Sequence, residues 1–284
     1  MATMLDGRET AEIYARRIAR ETKGLPRAPF LAVILAGDNP AGLVYDRMKM
    51  RKAKELGIES SLDRLAQETS EEELLALIRR LNGDRSVDAI LVQLPLPPHM
   101  DTLKILSAIA PAKDADGFNP VNKGLLSMGD ESGMVACTPL GIIRLLERYN
   151  VPIEGRRAAV IGRSNIVGRP MAMLLSNRSA TVTLCHSKTK DLGAITREAD
   201  IIVSAAGKTG LLSADMVKKG ATVVDVAMNH DADGRLAGDT DIAGISEKAA
   251  FVTPIPGGVG PMTIITLMDN VVKAFKSQCG SGTR

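Results

Sequence analysis

Short apolar runs ending in small residues alternate along this chain with longer segments whose apolar residues recur at helical spacing. That alternation constrains the fold more than any other feature, because a strand that follows a helix re-enters the sheet parallel to the strand before it. "PFLAVILAG" is the first clear run, and "DNPAGLVYDRMKMRKAKELG" follows it as a helix. There Asn39 is the expected N-cap, Pro40 the first helical residue and Gly57 the stop. Ser70 and Glu73 then form a capping-box pattern ahead of an apolar face of Leu74, Leu77, Ile78 and Leu81, and "VDAILVQLPLP" supplies the next strand. Two βα units fill the stretch up to Pro97.

After the loop-rich "IAPAKDADGFNPVNKGLL", the segment "TPLGIIRLLERYN" reads as a helix leading into a second series of strands. These are "AAVIG", "ATVTLCH", "DIIVSAAG", "ATVVDVA" and "AFVTPI". The last segment, "MTIITLMDNVVKAFKSQ", is again helical and is expected to pack back on the first domain, with the tail "CGSGTR" disordered. A chain of 284 residues, 45% of them hydrophobic, is long enough for two α/β domains. The expected division is 1–138, completed by the helix 263–279, and a Rossmann-like dinucleotide-binding domain over 139–262.

Composition narrows the partners. A formal net charge of +3 suits anionic small molecules but lacks the concentrated basic stripe of a nucleic-acid binder, and three Tyr, four Phe and no Trp leave few platforms for stacking bases. Cys137, Cys185 and Cys279 form no CxxC pair, and His99, His186 and His230 lack metal-ligand spacing. Neither a metal site nor a disulfide framework is expected. The first 25 residues alternate charged and apolar positions with no apolar h-region, so no membrane contact and a cytoplasmic location are expected.

The stretch "AAVIGRSNIVGRPMAMLLSNRSATVTLCHSKT" reads as strand, glycine turn, helix and second strand. Gly162 ends the strand, Ser164 stands where a dinucleotide fingerprint has its second glycine, and Gly168 permits close packing at the helix start. Helix-start N–H groups and the macrodipole favour phosphate there, although a purely structural turn would use the same residues. The end of the second strand, Cys185 to Thr189, has no carboxylate to hold a ribose 2′-hydroxyl. Arg163 with Ser187, and with Lys188 nearby, suits a 2′-phosphate, so NADP is expected rather than NAD. "TPIPGGVGPMTI" alternates fixed and permissive φ angles, which specifies a stiff, side-chain-poor path against which a flat ligand can lie, or a structural connection.

In the first domain, Tyr45 and Lys49 share a helix face, with Lys52 near it. On spacing alone Arg47, Lys49, Arg51, Lys52 and Lys54 read more readily as a solvated basic helix side. Gln93 closes an apolar strand just before a proline-rich exit, where open α/β sheets place ligands, unless it is a satisfied core amide. Asp114 and Asp116 flank the "DADG" turn, which a solvated Asx turn also explains.

"EEELLALIRRLNGDRSVDAILVQLPLP" and "PGGVGPMTI" resemble the two signature stretches of the bifunctional methylenetetrahydrofolate dehydrogenase/methenyltetrahydrofolate cyclohydrolase family, and "YDRMK", "KDADGFNP", "GRSNIVGRP" and "CHSKT" occur in that family's order. The resemblance implies two α/β domains with an interdomain cleft, a homodimer, and a folate substrate oxidised by NADP+ and then opened by water. It implies catalytic or folate-binding roles for Tyr45, Lys49, Gln93 and Asp116, and a folate-side wall of Pro256, Gly257 and Gly258. Gly162, Arg163, Ser164, Ile166, Ser187 and Thr263 correspond to cofactor-side positions. Under this resemblance Lys49 serves the cyclohydrolase step, Tyr45 packs on and orients the ring, and Asp116 accepts the pterin's N–H donors. Asp46, Asn119, Thr209 and Ala227 depart from the family pattern. Asn119 is expected to retune the folate side, and Ala227 to crowd the cofactor if its position needs a positive φ. The alternatives are another NADP-dependent two-domain dehydrogenase or a non-enzymatic dinucleotide sensor.

Overall fold

The computed structural model describes residues 1–37, 40–230 and 236–280, apart from the side chains of residues 40–46, 230 and 280. In chain order its strands are β1 (Thr3–Met4), β2 (Phe30–Ala36), β3 (Glu59–Leu65), β4 (Ala89–Val92), β5 (Arg157–Ile161), β6 (Thr181–Cys185), β7 (Ile201–Ser204), β8 (Thr222–Asp225), β9 (Asn229–His230), β10 (Leu236–Ala237) and β11 (Phe251–Val252). Its helices are α1 (Gly7–Lys23), α2 (Pro40–Glu55), α3 (Glu71–Gly83), α4 (Thr102–Ala108), α5 (Pro120–Ser127), α6 (Cys137–Arg148), α7 (Gly168–Asn177), α8 (Leu192–Glu198), α9 (Ile242–Ser246) and α10 (Val259–Gly280). They group into two compact units, Ile13–Val135 with Ile264–Arg284, and Met1–Glu12 with Ala136–Thr263.

The unit containing β2 is built on a parallel sheet of order β3-β2-β4. Central β2 is apolar throughout and Leu31 to Ile34 are fully buried, as a strand covered on both faces requires. Helix α3 starts as its sequence predicts: Ser70 Oγ accepts from Glu73 N at 3.3 Å and Glu73 Oε2 accepts from Ser70 N at 2.8 Å. Its Leu74 and Ile78 join Ile90, Val92 and Ile105 in the core. Gly57 follows α2 with a φ of +71°, while Asn39, the expected cap at the other end, lies outside the described residues. Strand β3 was not legible in the apolar pattern, because "ESSLDRL" at the sheet edge carries few apolar residues. In the same unit α10 is tied down by Asn270, whose Nδ2 donates to the carbonyls of Ala115 (2.9 Å) and Val135 (3.0 Å), and by Lys273, which donates to those of Glu131 and Gly133.

The other unit has an all-parallel sheet of order β1-β11-β8-β7-β5-β6, with a small antiparallel pair β10-β9 beside it. Three features differ from expectation. The first twelve residues belong here rather than with β2, because β1 pairs with β11 (Thr3 opposite Phe251, Met4 opposite Val252). The break between units falls after Val135 and after Thr263 instead of after 138 and 262. Helix α10 runs on to Gly280, so the tail "CGSGTR" begins inside a helix, and residues 281–284 lie outside the described residues. Strand β5 lies between β6 and β7, so the chain leaves β5 toward one side of the sheet and β7 toward the other. Open α/β sheets bind ligands at the carboxyl ends of the strands that flank such a switch point.

Candidate active site and dinucleotide cradle

Gln93 follows β4 directly, and its N–H donates to Ile34 O at 2.8 Å. The last rung of the ladder thus places its amide at the carboxyl edge of the sheet. Lys49 lies on α2 among basic residues, yet it is only 5% exposed while Arg47, Arg51 and Lys54 face solvent. Its Nζ donates to Gln93 Oε1 at 2.7 Å, and Gln93 Nε2 donates to Leu94 O at 2.7 Å. The second bond decides which end of the amide faces the lysine. The pair is therefore a built polar contact rather than part of a solvated helix side. Tyr45 belongs to α2, but its side chain, like that of Asp46, lies outside the described residues.

Asp116 is half-buried in a turn anchored on β4, since Asp114 bridges to Ile90 and Ala115 N donates to Ile90 O at 3.2 Å. Asp114 is not the solvated Asx residue its sequence allows. It is 1% exposed, and its Oδ2 accepts from Asn119 N and Asn122 Nδ2, each at 2.8 Å. Burial pushes its carboxyl above the usual aspartate range. Burial likewise pushes the half-buried Lys123 ammonium down, where it lies 5.7 Å from the centre of the Phe118 ring. Asn119, a departure from the family pattern, is also buried. Its Oδ1 caps α5 by accepting from Val121 N (2.8 Å), and its Nδ2 donates to Ile109 O (2.9 Å) and Ser107 O (3.3 Å). Its role in the fold is to join two helices.

At the switch point Gly162 ends β5 with a φ of +112°, and a Cβ there would strike the carbonyl of Ala205. A Cβ on Gly168, the first residue of α7, would strike the carbonyl of Gly162. Both glycines are needed for close backbone approach, which leaves a helix N-terminus beside the strand end. Ser164 Oγ accepts from Val167 N at 3.2 Å, and Arg163, Ser164 and Ile166 are exposed in the turn. After β6, His186 N donates to Thr189 Oγ1 (2.8 Å) and Thr189 N to His186 O (2.8 Å), closing a turn that exposes Ser187 and Lys188. That turn contains no carboxylate. Thr263 Oγ1 lies 2.9 Å from Thr138 Oγ1. A dinucleotide fits these residues: a glycine turn packed too closely on its neighbours for any Cβ, a helix start for the phosphates, and an exposed arginine in the turn.

In the proline-glycine loop, Gly257 has a φ of +112°, Gly258 N donates to Pro254 O (2.9 Å) and Gly7 N donates to Gly257 O (3.0 Å). A Cβ on Gly7 would strike the carbonyl of Gly258, so two backbones meet here, and Pro256 is exposed. The structural use of these glycines is real whatever else they line. Ala227 is not strained, since the described non-glycine residues with positive φ are Asn150, Ser179 and Asp191. The sequence reading missed two buried carboxylates in this unit, Asp225 and Asp239. Asp225 Oδ2 accepts from Thr240 N (2.8 Å) and Thr240 Oγ1 (2.6 Å), its Oδ1 accepts from Ala227 N (3.0 Å), and burial pushes its carboxyl up. The signal that would have found it is a carboxylate closing the apolar run "TVVD".

A parallel sheet with a glycine cradle at its switch point, and a second α/β unit with a buried lysine–amide pair at its sheet edge, define a two-domain dinucleotide-dependent enzyme. The chain belongs to the tetrahydrofolate dehydrogenase/cyclohydrolase family: the family's catalytic domain matches residues 5–116 and its NAD(P)-binding domain residues 136–279. It is 50% identical to the bifunctional protein FolD of Exiguobacterium sibiricum, over 97% of this chain and all of that one. Among solved structures it superposes on the bifunctional FolD methylenetetrahydrofolate dehydrogenase/cyclohydrolase of Campylobacter jejuni with a TM-score of 0.96 at 48% identity, covering 98% of this chain and 99% of that one. The Trypanosoma brucei enzyme, solved with NADP cofactor and an inhibitor, superposes with a TM-score of 0.93 at 38% identity, covering 98% of each chain.

Proposed function

We propose that this protein oxidises 5,10-methylenetetrahydrofolate to 5,10-methenyltetrahydrofolate with NADP+ and hydrolyses the product to 10-formyltetrahydrofolate, with Lys49 as the group that moves protons in the second reaction. The observation that carries this assignment is the buried Lys49 Nζ donating to Gln93 Oε1 at 2.7 Å. NADP+, when bound, accepts the hydride that the methylene carbon loses. The cation left on the folate is delocalised over N5 and N10, so this first step needs alignment more than acid or base.

Ring opening makes a different demand. Water adds to the methenyl carbon, the bond from that carbon to N5 breaks, and of the water's two protons one ends on N5 and the other is released. A group that takes a proton and returns it serves both halves of that sequence. Gln93 Oε1 accepts one N–H of Lys49 and so fixes where its nitrogen stands for the proton transfers of ring opening. Asp116 accepts from the pterin's amino and ring N–H donors, Tyr45 packs on the folate ring, and Pro256, Gly257 and Gly258 offer bare backbone to it. Arg163 and Ser187 hold the 2′-phosphate, while Gly162, Ser164, Ile166 and Thr263 line the remainder of the dinucleotide. The working form in this reading is a cytoplasmic homodimer, and light scattering at twice the chain mass checks the dimer.

Lys49→Met tests the division of labour. Its expected result is loss of methenyltetrahydrofolate hydrolysis with dehydrogenase turnover retained, read separately as decay of methenyl absorbance and appearance of NADPH. Equal loss of both activities in a folded variant overturns the role given to Lys49.

A further inference from the structure

Gly238, Asp239 and Thr240 form a crosspiece beneath the carboxyl ends of β7 and β8. Asp239 is fully buried, and its two oxygens collect five donors. Oδ2 accepts from Ser204 Oγ (2.9 Å), Ala206 N (2.8 Å) and Gly207 N (3.2 Å), and Oδ1 accepts from Lys208 N (2.6 Å) and Asn229 Nδ2 (3.1 Å). Thr240, next in sequence, holds Asp225 at the end of β8 through both its N–H and its hydroxyl. Gly238 has no room for a side chain, because a Cβ there would strike Asp225 Oδ2.

Three successive backbone N–H groups, Ala206 to Lys208, converge on one carboxylate, with Gly207 between them at a φ of +65°. This is a backbone nest of the kind that binds anions, filled here by the protein's own carboxyl group. The outer side of the same loop is exposed. Its first residue, Ala205, presents the carbonyl that a Cβ on Gly162 would strike, so the loop is the neighbour of the glycine cradle at the switch point. Ala205, Ala206 and Gly207 carry no polar side chain with which to hold that shape themselves.

We propose that Asp239 is a positioning residue for the dinucleotide: by filling the nest of residues 206–208 it sets the wall beside Gly162 against which the cofactor lies, and it denies those N–H groups to the cofactor's phosphates, leaving them the start of α7. This inference rests on the reading of Gly162–Gly168 as the dinucleotide cradle. Without the carboxylate, three inward N–H groups lose their acceptor and the loop rearranges toward the cradle.

The test is fluorescence titration of NADPH into the folded protein, alongside KM values for the folate. Asp239→Asn is expected to weaken NADPH binding at least tenfold while the folate KM changes less than twofold. Ser204→Ala and Asn229→Ala, which each remove one donor and leave the carboxylate in place, are expected to weaken NADPH severalfold, and they decide the matter if Asp239→Asn does not fold. Unchanged NADPH affinity in the folded variants, with only a lowered melting temperature, overturns the proposal and leaves Asp239 a purely structural residue. Arg163→Ala separates the two readings: if it leaves NADPH binding intact, the cradle itself has been misread. If it weakens NADPH while the Asp239, Ser204 and Asn229 variants do not, the role of Asp239 alone falls.

Discussion

Replacing Gln93 by Met keeps the length of the side chain but removes the acceptor that Lys49 Nζ reaches at 2.7 Å and the donor that reaches Leu94 O. A hydrogen bond involving a charged group contributes about 1.5–3 kcal/mol. If that energy holds the Lys49 nitrogen where ring opening needs it, its loss lowers cyclohydrolase turnover by roughly 10- to 100-fold, at about 1.4 kcal/mol per decade. Hydride loss needs no proton transfer from this lysine, so dehydrogenase turnover is expected to change by less than about threefold. The assay follows decay of added methenyltetrahydrofolate in one cuvette and NADPH formation from methylenetetrahydrofolate in another, with urea unfolding to report the folded fraction. A merely structural bond would shift the urea midpoint and leave both turnovers per folded molecule alone. Equal loss of the two activities, or full retention of hydrolysis, would refute the argument that Gln93 aims Lys49.

Asp225, whose carboxyl burial lifts above its ordinary 3.8, binds its proton more tightly in the folded chain than in the unfolded one. Its contribution to stability is complete below pH 3.8 and is lost as pH rises through the raised folded value, so wild type should lose stability relative to Asp225→Asn as pH rises above 3.8. Urea unfolding across that range checks it, and a pH-independent difference between the two proteins contradicts it. Asn119→Ala removes the cap of α5 and the donor to Ile109 O, with an expected cost of about 2–4 kcal/mol from a lost cap and an unpaired buried carbonyl. A cost under about 0.5 kcal/mol by the same method would mean that the buried amide is replaced by water.

What the sequence made legible was local. The capping box at Ser70, the stop at Gly57, the strand ending at Gln93 and the glycines at 162 and 168 each have their cause within a few residues, and each lies where its pattern implies. What it hid depends on partners far along the chain. The sequence leaves Lys49 either a site group beside Tyr45 or one cation in a basic row, and its bond to Gln93, 44 residues away, distinguishes it from that row. Strand β3 lacks an apolar run because it is an edge, and β1 is too short to carry a pattern, so its pairing with β11 moves the first twelve residues into the other unit. Asp239 looks like any acid in a polar loop until the nest of residues 206–208, some thirty positions earlier, is brought onto it.

The buried aspartates share one physical logic. Loops at the carboxyl ends of parallel strands must approach ligands closely, which favours glycine, alanine and proline, and such loops have no side chains to fix their own shape. Their inward N–H groups also need acceptors, since a buried unpaired donor costs about 1–3 kcal/mol. A carboxylate solves both problems, because two oxygens take several N–H groups at once. Asp114 does this for the turn that bears Asp116, Asp225 for the end of β8, and Asp239 for the loop after β7. The arrangement costs desolvation of the carboxylates, visible in the raised carboxyls of Asp114 and Asp225. In return the loops are ordered before any ligand arrives, so less of the binding energy goes into ordering them. On this logic substitution of Asp114 is expected to change folate affinity and substitution of Asp239 dinucleotide affinity, each without moving the proton chemistry proposed for Lys49.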